Sequence, residues 1–239
     1  MREPLLYKVY RALRRGWRRM TPETAAALQA FVASQQAVDG YMNAGGHLDA
    51  YYTQFGRVLE AVFSPRKLLH MPIHLTVQSS RTQETVYGRF FDFLEQELTF
   101  GMKRSIRTFG LSSRRRQERR NDEVKTLEMP RVMTTNAVCC LIAMQHQMGK
   151  ELDEAHVDWL CQRQHPSGGF YASDMAPIPD LLSTAVALFT LRLIGVKAVD
   201  ASDFIQVHWL DSGGFAPTLY DDYSDVEYVF YGLLALGTV

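Results

Sequence analysis

Carboxylates and aromatic rings carry the chemistry this chain could perform, and both recur at fixed places. Asp180 and Asp225 each stand ten residues beyond a Gly-Gly-Phe triplet, Gly168-Gly169-Phe170 and Gly213-Gly214-Phe215. Asp49 holds the matching place after Gly40-Tyr41. An aspartate just ahead of an apolar helix can cap it by accepting bonds from free backbone N–H groups. Asp221 and Asp222 add two carboxylates beside Asp225, and mutual repulsion can raise one pKa enough to make a general acid. The shared repeat position of Asp49, Asp180 and Asp225 favours capping, and the cluster favours catalysis. The expectation is that Asp180 is chiefly structural and that Asp225, with Asp222 nearby, is the functional carboxylate.

The rings Tyr51, Tyr52, Phe55, Phe189, Tyr228, Phe230 and Tyr231 all fall on the helical runs that follow these aspartates. Aromatic faces stabilise cations and line apolar pockets. The competing reading for each ring is ordinary core packing. Seven histidines are scattered along the chain. His70 and His74 have helical spacing, but Met71-Pro72 between them spoils a helical metal pair, so no metal ligand is assigned. Cys139, Cys140 and Cys161 lie in apolar helical runs without Cys-x-x-Cys spacing. Three is an odd set, and buried reduced thiols in a cytosolic protein are expected.

The elements that must position these residues repeat. Gly168-Gly169-Phe170 recurs as Gly213-Gly214-Phe215, a period of 45 residues, which points to stacked or ring-forming helix pairs. Each copy reads as an apolar helix, a Gly-Gly turn, a phenylalanine, a loop, an aspartate and a second helix. The second helix is the more apolar. Leu181 to Leu193 carries almost no charge, and Val226 to Leu236 carries only Glu227. A helix apolar nearly all round is a buried one, so the second helices should lie inside and the first outside. A weaker copy near the N-terminus pairs an outer helix over 25–36 with an inner helix over 47–63. Thr53 follows Asp49 by four residues, as Thr184 follows Asp180. A fourth inner helix spans 134–148, with Thr134-Thr135 in the aspartate place. The remaining expected elements are outer helices over 153–164 and 201–210 and inner helices over 180–194 and 224–236.

This pattern resembles the repeat of protein prenyltransferase β subunits and squalene/terpene cyclases. The resemblance covers Trp159–Val239 well, residues 31–62 fairly, and the stretch between Phe63 and Arg131 poorly. It implies an all-α fold, an α/α toroid built as a ring or arc of inner and outer helix pairs. Its inner helices would surround an apolar cavity. The resemblance thus places Tyr51, Tyr52, Phe55, Phe189, Tyr228 and Tyr231 as candidate substrate-binding residues for an isoprenoid or other apolar molecule. Prenyltransferases hold a catalytic zinc with an Asp, a Cys two residues on, and a later His. Here Asp180 matches the Asp, but Leu182 stands at the Cys position and Asp225 at the His position. Two of the three ligand positions are therefore replaced, and zinc favours Cys and His. No cofactor is expected, and a divalent metal would have to bind in some other way. The Asp-x-Asp-Asp acid motif of the cyclases is absent from the sequence.

The rest of the chain frames this core. Residues 1–20 form a basic amphipathic helix, with Leu5, Leu6, Val9, Tyr10, Leu13 and Trp17 on one side and arginines over much of the rest. One reading docks it on an anionic membrane surface; the other packs it on the domain with a solvated charged face. Residues 21–239 make the toroid domain, with an irregular middle section over 64–130. Within that section we expect a helix–loop–helix over 66–82 and a helix over 85–100. The polar stretch 112–128 reads as a solvated loop or an anion site. Hydrophobic content of 46% is ample for one large domain. A net charge of zero leaves no nucleic-acid signature. No apolar run reaches about 18 residues, so no membrane span is expected, and the basic N-terminus lacks the apolar core of a secretory signal. A cytoplasmic protein follows, peripheral at a membrane if the first helix docks. Two classes of function remain: an isoprenoid-handling enzyme, or a non-catalytic toroid that binds a lipid or a protein partner.

Overall fold

The computed structural model describes residues 3–64 and 133–239. The elements expected over 66–82, 85–100 and 112–128, and the pair His70 and His74, lie outside those residues. Helices account for 56% of the described residues, and the largely helical class is borne out. In chain order they are α1 (Leu5–Arg19), α2 (Pro22–Ser34), α3 (Ala50–Phe63), α4 (Thr135–Met148), α5 (Glu154–Gln162), α6 (Leu181–Ile194), α7 (Ser202–Gln206) and α8 (Val226–Leu236).

Each boundary has a local cause. Thr21 accepts the Thr24 N–H and Pro22 opens α2, where its missing N–H costs nothing. Thr134 accepts the Ala137 N–H, and Gly149 ends α4 in the left-handed conformation at φ 71°. Gly195 does the same for α6 at φ 80°. Two expected boundaries move. The inner helix placed over 47–63 starts at Ala50, because Leu48–Asp49 pairs as a strand. The outer helix placed over 201–210 is only the five residues of α7. The chain leaves it early because His208 must turn back: its carbonyl accepts the Ala216 N–H at 2.7 Å, and Trp209 bridges Phe215.

Short ladders that the helical pattern does not announce tie each copy together. Strands β1 (Gln36–Ala37), β2 (Gly40–Met42) and β3 (Leu48–Asp49) form one antiparallel sheet, with Gln36 opposite Tyr41 and Tyr41 opposite Asp49. Strands β4 (Phe170–Tyr171) and β5 (Pro179–Asp180) set Phe170 opposite Asp180, while Gln164 bridges Phe170 from the other side. The turn aromatic is thus clamped between the end of one helix and the cap of the next.

Burial separates the helices as their composition suggests. In α6, Leu181, Ser183, Thr184, Ala185, Ala187, Leu188, Thr190 and Leu191 are buried, whereas α5 buries only Leu160. Helices α4, α6, α8 and α3 pack side by side in that order, so the last helix of the chain lies against the first inner one. Neighbouring copies are also stitched by backbone: Thr135 N–H donates to Ala172 C=O at 2.8 Å, and Leu181 N–H to Pro217 C=O at 2.9 Å.

The basic helix α1 packs on the domain. Leu5, Ala12, Leu13 and Gly16 are buried, and the helix runs across the C-terminal ends of the inner helices. Gly16 presses on the Leu233 carbonyl and Gly237 on the Ala12 carbonyl; a Cβ on either would overlap backbone. Several cations of α1 close open helix ends. Arg15 Nε donates to Gly237 C=O at 2.8 Å, Arg19 to Leu236 C=O at 2.7 Å, and Arg14 to Val62 C=O. Cations there suit both the orphan carbonyls and the helix dipoles.

Candidate functional site

One line of incompletely buried positions recurs on α4, α6, α8 and α3. Counting from the cap residue, the second and sixth positions are only half-buried in α4 (Asn136, Cys140), α6 (Leu182, Val186) and α8 (Glu227, Tyr231). In α3 the same positions are Tyr51, which is 40% exposed, and half-buried Phe55. Residues four apart share one helix face, so each of the four helices carries the same half-buried stripe.

The α3 and α8 stripes meet directly. The Tyr51 hydroxyl donates to Glu227 Oε1 at 2.8 Å, across 176 positions of sequence. Phe55 stands edge-on to Tyr51 at 4.9 Å and to Phe230 at 5.0 Å, and its ring centre is 6.0 Å from that of Tyr231. Tyr52 meets Tyr51 edge-on at 5.6 Å. Edge-to-face contacts fix ring orientation beyond what simple burial does. Phe189 and Tyr228 stand apart from these ring contacts. Phe189 packs with Leu6, Cys140 and Leu193 around Leu5 and Met144, and Tyr228 lies beside the Asp225 cap.

The carboxylates sort by their partners. Asp180 Oδ1 accepts the Ser183 N–H at 2.7 Å, and Asp225 Oδ1 accepts the Tyr228 N–H at 3.0 Å. Both are N-caps, and Asp225 is 1% exposed. Asp225 thus serves the start of α8, and its carboxyl also takes a hydrogen bond from the Tyr52 side chain. Asp222 is exposed on the preceding loop. Burial pushes the carboxyls of Asp180 and Asp225 above the usual range, and the bonded amides pull them part of the way back.

Glu227 is the acid bonded by Tyr51, and it was not among the candidate residues. Burial raises its pKa, the Tyr51 hydroxyl opposes that rise, and the nearby Asp225 charge adds to it. The Tyr52 phenol is pushed up to about 12 by burial and by the neighbouring carboxylates. Burial and Glu227 also raise Tyr51 and Tyr231, so all three phenols remain hydrogen-bond donors at neutral pH. Glu227 could have been found as the only charge in an otherwise apolar helix. Nothing local announces that it meets Tyr51.

Asn136 Oδ1, at the second position of α4, is buried and has no hydrogen-bond partner among the described residues. Cys140, at the sixth, lies near the Tyr231 phenol. All three thiols are free; Cys139 is buried, but Cys161 is exposed, contrary to expectation. The arrangement does not suit a prenyltransferase-type zinc. Leu182 offers no donor, and Asp180 and Asp225 are engaged by helix amides. Among the described residues no three His, Cys, Asp or Glu side chains converge on a metal site, and none of the described helices is long and apolar enough to cross a membrane. No protein-family model and no curated protein significantly matches the chain.

Proposed function

We propose that the half-buried lining of α4, α6, α8 and α3 binds an apolar, isoprenoid-like molecule, and that the helix pairs form an arc of an α/α toroid. The side-by-side order of four buried helices supports the toroid reading. The connected group of Tyr51, Phe55, Phe230 and Tyr231 around Glu227 supports the ligand reading. Rings held edge to face offer π density to an electron-poor or polyunsaturated chain. A carboxyl with a raised pKa, fixed by a phenol, can hold a proton beside such a chain and donate it. Glu227, rather than Asp225, takes the acid role in this reading.

The test is titration of the purified chain with farnesyl and geranylgeranyl diphosphate, followed by product analysis and divalent-metal analysis. Binding weakened at least about tenfold by Phe55→Ala or Tyr231→Ala is expected, since a well-buried ring contributes on the order of 2–3 kcal/mol. Glu227→Gln should keep binding and remove any turnover. Binding without turnover in the unsubstituted chain would point to a non-catalytic lipid-binding toroid. Neither binding nor turnover would sink the ligand reading and leave a protein-binding module.

A further inference from the structure

A second site lies at the other end of the inner helices. Arg11, Arg14, Arg15 and Arg18 follow one another at three- and four-residue spacing along one face of α1, over about 10 Å of helix. With Tyr10 they line an open groove of about 280 Å³. Like charges so spaced repel one another and weaken a helix. Among the described residues the carboxylate that pairs with this set is Glu3, on Arg11. Two guanidinium groups are held from behind, Arg14 by Val62 C=O and Arg15 by Gly237 C=O. Tyr10 is fixed by its bond to Ala61 C=O at 3.2 Å. Each bond uses one donor of a five-donor fork and leaves the others. Burial lowers the Arg15 pKa, and the nearby charges of Arg192, Arg11 and Arg19 lower it further.

We propose that this groove binds a phosphate group, with Arg14 and Arg15 as pre-positioned forks and Arg11 and Arg18 as the exposed arms that close on it. Arginine forks match phosphate oxygens two at a time. The helix ends behind the groove restrain the side chains, so little rotamer entropy remains to be lost on binding. A phosphate dianion would also relieve the repulsion along α1. The site is separate from the aromatic group: Glu227 lies in the first turn of α8 and Gly237 follows its last residue, about 15 Å along the helix.

The experiment uses the full chain and two probes. Inorganic phosphate is titrated by calorimetry. Phosphatidylcholine vesicles, with and without phosphatidylinositol 4-phosphate, are tested by co-sedimentation. Both are repeated with the Arg11→Gln/Arg18→Gln double variant, whose two side chains are exposed, and with Arg57→Gln on α3 as a control. The expected result is binding in at least one arm, reduced at least tenfold in the double variant, weakened by salt and unchanged by Arg57→Gln. Binding confined to the phosphoinositide vesicles identifies a lipid headgroup, and binding of inorganic phosphate identifies a free phosphate. No binding in either arm, or equal binding by the double variant with its melting temperature preserved, overturns the proposal.

Discussion

The middle and last copies of the repeat solve one problem with different residues. In the middle copy the Phe170 N–H donates to Thr184 Oγ1 at 2.8 Å, and that hydroxyl donates to the Asp180 carbonyl at 2.6 Å. The N-terminal copy does the same with Tyr41, Thr53 and Asp49, at 2.9 and 2.7 Å. In the last copy Val229 occupies the threonine position. There the Phe215 N–H goes instead to Ser224 Oγ at 3.0 Å, from the residue just ahead of the cap. A buried N–H must be paired, so the bond persists while its supplier moves. The packing partner varies as well. The seventh residue after the cap is Gly56 or Gly232 where Tyr41 or Phe215 lies flat on the helix, and Ala187 in the middle copy.

The sharpest break in this comparison should come at Gly232. A Cβ there would run into the Phe215 ring. Gly232→Ala should cost about 1–3 kcal/mol or more in denaturant unfolding, whereas Ala187→Gly should cost only about 1 kcal/mol through helix propensity. An equal, small loss at both sites would show that the ring can slide aside.

The hydroxyls come next. Thr184→Val should leave the Phe170 N–H unpaired at a cost of about 1–3 kcal/mol, and Ser224→Ala should do the same to Phe215. The sharpening variant is Ser224→Ala with Val229→Thr, which moves the last copy to the middle copy's solution. Its unfolding midpoint should recover most of the loss. No recovery would mean that the two arrangements are not interchangeable.

The caps should matter least. Asp180→Asn and Asp225→Asn should each cost a few tenths of a kcal/mol, and the alanine variants about 1 kcal/mol. Their pH dependence separates wild type from variant. The Asp225 carboxyl is raised in the folded state by burial, so folding takes up a proton between the ordinary value near 3.9 and the raised one. Its contribution is therefore fully present below about pH 3.9 and lost as pH rises through the folded value. Wild type should gain stability relative to Asp225→Asn as pH falls through that window. A flat difference across urea melts at successive pH values would contradict the burial of this carboxyl.

The helical class and the helix starts are legible because their marks are local. The caps Asp49, Thr134, Asp180 and Asp225 stand directly before apolar runs, and charge sorts the inner helices from the outer. The ladders were missed because two-residue strands have no periodicity to read. Gln36, Gln164 and Trp209 look like ordinary helix ends until they pair with Tyr41, Phe170 and Phe215. The candidate site is legible only in part. Helix membership marks Phe55 and Tyr231, and the acid cluster marks Asp225. The backbone amide of Tyr228 and the Tyr52 side chain that bond Asp225 appear only in the fold. Glu227 escaped because its partner Tyr51 comes from the far end of the chain, a neighbour that only the packing order α4–α6–α8–α3 creates.

That order has a kinetic consequence. Tyr51 and Glu227 are 176 positions apart, and α1 finds its main partner in α8. A ribosome releases α1 and α3 long before the helix that covers them exists. The N-terminal pair must wait with Leu13, Phe55 and Leu59 exposed, and joining it to the C-terminal helix closes almost the whole chain as one loop. High contact order of this kind slows folding. It also leaves an apolar face open to wrong partners during synthesis, so residues 3–64 made alone should aggregate where the full chain stays monodisperse.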